Sequence, residues 1–187
     1  MRVIAGKYRS RVLKGPGRLR LRPTSDRLRE TLFNVLGASV EDSLFVDLFA
    51  GTGAIGIEAI SRGAREVIFV ESHRAGALLV RQNLESLGIR AGAEVIGADA
   101  VRGLEKLAAR HLAADFVFLD PPYEREEEPV RVLEFLDASH LIAPHGLVIV
   151  EHREPVELPE RFDRLECFRI LEQGDAALSF YRLAAAA

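Results

Sequence analysis

Short apolar runs alternate with longer amphipathic stretches along most of the chain. The apolar runs predict five strands, at Leu44–Phe49, Glu66–Glu71, Ala93–Gly97, Asp115–Asp120 and Gly146–Glu151. The stretches between them repeat apolar residues at helical spacing and predict helices at about 54–62, 74–87, 101–110 and 126–138. Buried strands joined by crossover helices are typical of a parallel sheet covered on both faces, so the pattern predicts an α/β fold.

The C-terminal part of the chain departs from this alternation. Two apolar runs, Leu165–Leu171 and Leu178–Leu183, flank the turn residues around Gly174 without a helix between them. Such a pattern is typical of an antiparallel hairpin. We therefore expect a mostly parallel sheet that ends in an antiparallel C-terminal hairpin.

The N-terminal part predicts a separate small element. Residues 2–14 alternate weakly and predict a β-hairpin, and Pro/Gly-rich positions up to Pro23 then interrupt regular structure. A helix capped by Thr24 or Ser25 follows. The chain of 187 residues is thus divided into an N-terminal arm, residues 1–24, and one domain, residues 25–187.

The charge distribution indicates a function for this arm. The net charge of the chain is only −3, but residues 1–29 hold ten basic side chains and a single acid, Asp26. The arm region therefore carries +9 and the remainder −12, an asymmetry that points to a polyanionic partner. No apolar run approaches the length of a membrane span, and the single cysteine fits a reducing cytoplasm.

A glycine-rich segment follows the first predicted strand and opens a predicted helix. It runs from Asp47 to Gly56 and contains Gly51 and Gly53. Glycine at such positions permits tight turns and lets a ligand approach the main chain closely. Glu71 ends the second strand and can accept hydrogen bonds from ribose hydroxyls, and Asp99 follows the third. This acidic crevice suits a nucleoside cofactor with a cationic centre, but the motif alone leaves both S-adenosylmethionine and NAD open.

A second motif follows the fourth strand, where Asp120-Pro121-Pro122-Tyr123 stands at its carboxyl end. The two prolines fix a carboxylate, a free carbonyl and an aromatic ring in rigid relation. A planar base can stack on Tyr123 while its exocyclic amine donates to the Asp120 carboxylate and the Pro121 carbonyl. These acceptors stabilise the pyramidal, more cationic amine that forms only as the new bond forms. The five histidines show no ligand spacing, so we expect no metal.

The spacing of these motifs resembles that of class I adenosylmethionine-dependent methyltransferases with a Rossmann-like sheet. The N-terminal part resembles that of one group within this class, the bacterial 16S rRNA guanine-N2 methyltransferases. The residues that carry this resemblance are Gly6, Arg9, Arg11, Leu21-Arg22-Pro23-Thr24, Arg27 and Arg29–Asn34. The match covers about residues 2–151. Ser10 departs from the family pattern, which has glycine between the two arm arginines.

The resemblance implies roles for individual residues. It implies S-adenosylmethionine bound by Asp47, Phe49, Gly51, Gly53, Glu71, Asp99 and Ala100, with Glu71 on the ribose and Asp99-Ala100 near the adenine. It implies a catalytic set of Asp120, Pro121 and Tyr123 that holds the guanine amine and ring. It also implies contacts to RNA by Arg2, Lys7, Arg9, Arg11, Arg22, Thr24 and Arg27, the last three beside the active site.

The expected enzyme is a cytoplasmic monomer that acts on 16S rRNA in a partly or fully assembled 30S subunit. Two alternatives remain open from the residues. One is a nucleic-acid adenine-N6 methyltransferase, which uses the same stacking and acceptor geometry but often has asparagine in place of Asp120. The other is a non-catalytic RNA-binding assembly factor. A dehydrogenase is disfavoured because Asp120–Tyr123 offers no partner for hydride transfer.

Overall fold

The computed structural model describes residues 1–17, 25–122, 127–153 and 156–185. The chain divides into two compact units, residues 1–100 and residues 101–187. Each unit contains strands of the predicted α/β pattern, and each is described here by itself.

The first unit holds three parallel strands in the order β3-β2-β1. They are β1 (Leu44–Leu48), β2 (Glu66–Val70) and β3 (Ala93–Ile96). In-register pairing of Leu48 with Val70, and of Val70 with Ile96, brings the carboxyl ends of all three strands to one edge. Since ligands of open α/β sheets bind outside this edge, the first unit has its candidate site there.

Three helices complete the first unit and a fourth begins at its end. They are α1 (Asp26–Leu36), α2 (Ala54–Ser61), α3 (Arg74–Ser86) and α4 (Ala100–Ala109). The Ser25 side chain accepts a hydrogen bond from the Leu28 N–H at 3.1 Å, which confirms the predicted cap of α1. A 3-10 helix at Gly37–Val40 follows α1 and was not expected from the sequence.

The second unit holds four strands and one further helix. They are β4 (Ala114–Leu119), α5 (Glu128–Ala138), β5 (Ile142–Arg153), β6 (Leu165–Gln173) and β7 (Ala176–Leu183). The strand order is β4-β5-β7-β6, with β5 parallel to β4 and antiparallel to β7. The predicted C-terminal hairpin is confirmed by the antiparallel pairing of β6 with β7.

The N-terminal arm is less regular than the predicted hairpin. A single antiparallel bridge joins Arg2 to Val12, and turns occupy the chain between them. Two apolar side chains of the arm, Val3 and Leu13, are buried. These two side chains pack the arm into the first unit, whereas Val12 is 73% exposed. No helix in the described part of the chain has the length and apolar character needed to cross a membrane.

Ser10 has a backbone conformation that favours glycine. Its φ of 66° lies in the left-handed region, which costs a residue with a Cβ roughly 1 kcal/mol. We expect Ser10→Gly to relieve this strain and to increase hydrogen-exchange protection of the arm amides about threefold or more, which corresponds to roughly 0.5–1 kcal/mol. Lys7→Gly, at a position without positive φ, serves as the control and is expected to lower protection. Equal or lower protection in Ser10→Gly would contradict the argument.

Candidate active site

The loop between β1 and α2 has an unusual backbone. Three of its five residues have left-handed φ values, namely Phe49 at 60°, Gly51 at 55° and Gly53 at 77°. Glycine adopts this conformation freely, but Phe49 does so at a cost of about 1–3 kcal/mol. Strained non-glycine residues cluster at ligand sites, so Phe49 supports the assignment of this loop as a binding element.

Asp47 supports this loop from beneath. Its carboxylate is buried and accepts a hydrogen bond from the Gly56 N–H at 2.9 Å, in the first turn of α2. Gly53, the N-cap of α2, has no side chain to do this, so Asp47 replaces the usual cap from the neighbouring strand. Burial raises the pKa of Asp47 to about 7; the Gly56 N–H opposes this shift and the Glu71 charge adds to it.

Glu71 follows β2 and ties the loop to the start of α3. Its Oε2 accepts from the Gly51 N–H at 2.8 Å and its Oε1 from the His73 N–H at 2.7 Å. A Cβ at Gly76 would lie 2.9 Å from the Glu71 carboxyl carbon, so glycine there lets α3 approach the carboxylate. The sequence predicted Glu71 only as a ribose acceptor; its hold on the glycine loop is an additional role.

The third motif glycine serves packing. A Cβ at Gly56 would lie 2.3 Å from the Phe69 ring, so only glycine lets α2 lie this close to β2. By contrast, a Cβ at Gly51 would meet only the Phe49 carbonyl oxygen, at 3.7 Å. The main chain at Gly51 can therefore be approached by a ligand, whereas that at Gly56 is covered by the protein.

The remaining cofactor candidates follow β3. Asp99 is half-buried, and Ala100 is the buried first residue of α4. Because the three strands end at one edge, the structure brings the loop, Glu71 and Asp99 to the same side of the first unit. All the predicted cofactor residues thus lie in or next to the loops at this edge.

The second unit carries the predicted substrate motif. Asp120 directly follows β4 and is half-buried, Pro121 is buried and Pro122 is exposed. This places the Asp120 carboxylate at the carboxyl end of a strand whose last four residues are buried. Tyr123, the predicted stacking residue, lies outside the described residues.

The predicted RNA-binding side chains that the structure describes are exposed. They are Arg2, Lys7, Arg9, Arg11 and Arg27. One of them, Arg11, donates from Nη2 to the Ser86 carbonyl oxygen at 3.2 Å. Arg22 and Thr24 lie outside the described residues. The described cations of the arm therefore face solvent, where a polyanion can reach them.

Sequence reasoning missed the groups that hold the arm in place. Glu58 and Ser61 are the only polar side chains of α2, and both are buried. Glu58 accepts from the Ile4 N–H at 2.7 Å and the Ala5 N–H at 3.0 Å, and the Ser61 hydroxyl accepts from the Tyr8 N–H at 2.9 Å. Their spacing on an otherwise apolar helix is the signal that could have identified them.

A buried arginine completes this connection. Arg29 of α1 is fully buried, and its Nη2 donates to the Arg2 carbonyl oxygen at 2.6 Å and to Asp26 at 3.0 Å. Its Nε lies 3.9 Å from Glu58 Oε2. Arg62 adds a second cation, with its Nε donating to Glu58 Oε1 at 2.8 Å. The Glu58 carboxylate is thus the shared anion between α1, α2 and the arm.

The high pKa of Asp47 makes folding stability depend on pH. With a pKa of about 7 in the folded state, against 3.8 for the free side chain, the folded protein binds more protons between those values. Its stability therefore falls as pH rises through this window and levels off above it. The amide in Asp47→Asn has no such titration, so we expect the stability of this variant relative to the parent to rise as pH increases from about 4 to about 8. The total change across this range should be on the order of 2–4 kcal/mol.

Urea unfolding of both proteins at several pH values measures this difference. Glu85→Gln, which changes an exposed carboxylate of α3, is the matched control and should track the parent at every pH. A difference between Asp47→Asn and the parent that does not change with pH would contradict the assignment.

Within the described residues, no three His, Cys, Asp or Glu side chains form a group that could hold a metal ion.

Comparison with known proteins identifies the family. The family model described as Conserved hypothetical protein 95 matches residues 1–182. Ribosomal RNA small subunit methyltransferase D of Escherichia coli is 38% identical over 162 residues, 85% of this chain and 78% of the relative. The Haemophilus influenzae protein of the same name is 36% identical over 186 residues, 98% of this chain and 92% of the relative.

Solved structures agree with the sequence comparison. The structure of Escherichia coli yhhF superposes with a TM-score of 0.82 at 31% identity, covering 100% of this chain and 99% of the other. This confirms the expected fold class, a mixed α/β methyltransferase fold with antiparallel C-terminal strands. The chain belongs to the Conserved hypothetical protein 95 family and has the fold of S-adenosylmethionine-dependent methyltransferases.

Proposed function

We propose that this protein transfers the methyl group of S-adenosylmethionine to the exocyclic N2 amine of a guanine in 16S rRNA. The observation that carries the proposal is the Asp120-Pro121-Pro122-Tyr123 motif directly after β4, in a chain whose β1–α2 loop has three residues with left-handed φ values. The names of the relatives, which specify the small-subunit ribosomal RNA, support the substrate class.

The first unit fits the cofactor. A Cβ at Gly51 would meet only the Phe49 carbonyl oxygen, so a ligand would have access to the main chain there, and the left-handed conformations at Phe49 and Gly53 support a binding role for this loop. Glu71 uses one lone pair of each oxygen on the protein and retains acceptor capacity for ribose hydroxyls. Asp99 and Ala100, at the end of β3, would contact the adenine. Asp47 would act by holding the loop and the start of α2.

The cofactor supplies an electrophilic methyl group on a sulfonium. The protein contributes the positioning of the guanine: Asp120 and the Pro121 carbonyl would accept the two amine hydrogens, and Tyr123 would stack on the ring. As the N–C bond forms and the S–C bond breaks, positive charge develops on the amine, and both acceptors interact more strongly with it. The ammonium product then loses one proton to water. Alignment of the reacting atoms supplies the remainder of the rate.

The arm would supply phosphate contacts to the rRNA. Residues 1–24 would form the RNA-binding part and residues 25–187 the methyltransferase domain. The exposed side chains of Arg2, Lys7, Arg9, Arg11 and Arg27 would neutralise phosphates, with Arg22 and Thr24 beside the active site. Because the target base is stacked in structured RNA, it must leave the stack to reach Asp120. The proposed substrate is the rRNA in a partly or fully assembled 30S subunit.

The salt dependence of RNA binding tests the role of the arm. We expect Arg9→Ala/Arg11→Ala to weaken binding at low salt and to reduce the slope of log K against log[salt] by about 1.5, since two phosphate contacts are lost. Affinity for the cofactor should remain that of the parent. The matched control is Arg131→Ala/Arg161→Ala, two exposed arginines of the second unit. An unchanged slope in the arm variant would remove the arm from the interface.

Product identification tests the reaction itself. The protein is incubated with methyl-labelled S-adenosylmethionine and either naked 16S rRNA or 30S particles, and the RNA is digested to nucleosides. We expect label in N2-methylguanosine, accumulating about 10²- to 10³-fold more slowly with an Asp120→Ala preparation. Label in N6-methyladenosine would show an adenine methyltransferase. Absence of label on both substrates, with RNA binding intact, would indicate a non-catalytic binding protein.

A further inference from the structure

One buried side-chain amide joins the N-terminal arm to the loop between β1 and α2. Asn83 of α3 is 0% exposed, although α3 has a solvent-facing side on which a polar residue could stand. Its Nδ2 donates to the Thr52 carbonyl oxygen at 2.9 Å and to the Lys14 carbonyl oxygen at 3.1 Å. Its Oδ1 accepts from the Lys14 N–H at 2.8 Å. The side chain is thus divided between the arm and the loop.

The loop end of this connection is the peptide between the two cofactor glycines. Thr52 stands between Gly51 and Gly53, and its carbonyl belongs to the peptide that turns the chain into α2. The hydroxyl of Thr52 lies 3.7 Å from the sulfur of Met1, the first residue of the arm. Asn83 and Met1 therefore both contact Thr52, and Met1 belongs to the arm itself.

At the arm end of this connection, hydrogen bonds join two parts of the arm to each other and to Asn83. Lys14 bonds to Asn83 through both its N–H and its carbonyl, and the Leu13 N–H donates to the Met1 carbonyl oxygen at 3.2 Å. Met1 and Leu13 are thus held together next to the residues, Met1 and Lys14, that connect the arm to the loop. The exposed Arg9 and Arg11 lie on the chain between these two points.

This arrangement makes the two elements interdependent. A buried amide that loses its partners is left unsatisfied, so displacement of the arm removes two of the three bonds of Asn83 and loosens its hold on Thr52. Conversely, a disordered loop leaves Asn83 without its third partner. A ligand that orders either element therefore stabilises the other, and two ligands that each order one element bind cooperatively.

We propose that Asn83 is a positioning residue that couples RNA binding on the arm to cofactor binding on the loop. The inference rests on the proposed function, because it requires that the arm bind RNA and the loop bind the cofactor. The expected behaviour is reciprocal: RNA increases affinity for the cofactor, and the cofactor increases affinity for RNA by the same factor.

The test measures that factor. S-adenosylhomocysteine, which cannot react, is titrated calorimetrically into the protein with and without the RNA that it methylates. We expect the parent to bind the nucleoside about fivefold or more tightly with RNA present. In Asn83→Leu, which removes all three bonds and replaces the amide by an apolar side chain of similar size, this ratio should fall to about one. The reciprocal RNA titration should give the same two ratios.

Gln82→Leu is the matched control. Its side chain contacts the same arm residue, with the Lys14 Nζ 3.5 Å from Gln82 Oε1, but has no bond to the loop. The parent ratio should persist in this variant. If Asn83→Leu does not fold, Lys14→Pro provides a second test, because it removes the N–H that donates to Asn83 Oδ1 and spares the Asn83–Thr52 hydrogen bond. Lys14→Ala retains this N–H and is its control. The first should abolish the ratio and the second should keep it.

The outcomes separate the coupling from the function. If the parent forms N2-methylguanosine but its ratio is one, or if Asn83→Leu keeps the parent ratio, the coupling is overturned and the function stands. A lowered melting temperature in Asn83→Leu with an unchanged ratio would show a purely structural asparagine. If the parent neither binds RNA nor methylates it, the proposed function fails and the coupling fails with it.

Discussion

Asp120→Ala is expected to lower kcat for methyl transfer by about 10²- to 10³-fold, with the affinities for cofactor and RNA close to those of the parent. The proposed Asp120 contact strengthens as positive charge develops on the amine, so its removal raises the barrier more than it weakens the ground state. Single-turnover methylation of 30S particles at saturating protein measures the chemical step, and nucleoside binding by calorimetry reports on the cofactor site.

Two further variants sharpen this result. Asp120→Asn keeps one acceptor oxygen in place but removes the negative charge, so we expect a smaller decrease than in Asp120→Ala. Glu134→Ala changes an exposed carboxylate of α5 in the same unit and should have the parent rate. If Asp120→Ala retains the parent rate, or if it loses cofactor binding instead, Asp120 does not act on the amine.

Glu58→Ala should destabilise the protein by about 3–5 kcal/mol, the usual consequence of leaving a buried countercharge without its partner. The substitution leaves Arg29, which is fully buried, with Asp26 as its remaining anion, and it strips two main-chain N–H groups of the arm of their acceptor. For a chain of this length the loss corresponds to a decrease of about 10 °C in melting temperature.

Chemical and thermal unfolding measure this loss, and hydrogen exchange locates it. The amides of Ile4 and Ala5, which donate to Glu58, should lose protection first. Glu58→Gln retains an acceptor and should lose roughly half as much stability. Glu30→Ala, an exposed carboxylate on α1, is the control and should stay within about 0.5 kcal/mol of the parent. A Glu58→Ala protein as stable as this control would show that the carboxylate is not the anchor.

The sequence predicted the elements well where the signal is local. The predicted arm hairpin is reduced to one bridge, whereas the seven strands predicted for residues 25–187 and the five predicted helices are present, most with ends within one or two residues of the observed ones. The exception is β5, which begins at Ile142 rather than at Gly146. Pro144 and Gly146 indicate a loop, but the structure accommodates them where the register with β4 shifts between Ala114 and Phe116. Proline within a strand is typical of such an irregularity.

The candidate site divides in the same way. The glycine loop and the acids that end β1, β2 and β3 were predictable, because a parallel sheet brings consecutive strand ends to one edge. The contacts of Glu58, Ser61 and Asn83 with the arm were not, since they join residues more than fifty positions apart. No local periodicity reports on such pairs. Their only trace is a polar residue on a helix face that is otherwise apolar.

The docking of the arm has an evolutionary consequence. The groups that Glu58 and Ser61 bind are main-chain N–H groups, which every residue except proline provides. The exposed side chains at Arg2, Lys7 and Arg9 take no part in these bonds. The exposed side chains of the arm can therefore change residue by residue while the attachment of the arm is inherited unchanged. In the proposed RNA-binding role, the arm is a scaffold whose specificity can evolve, or be engineered, without redesign of the domain that holds it.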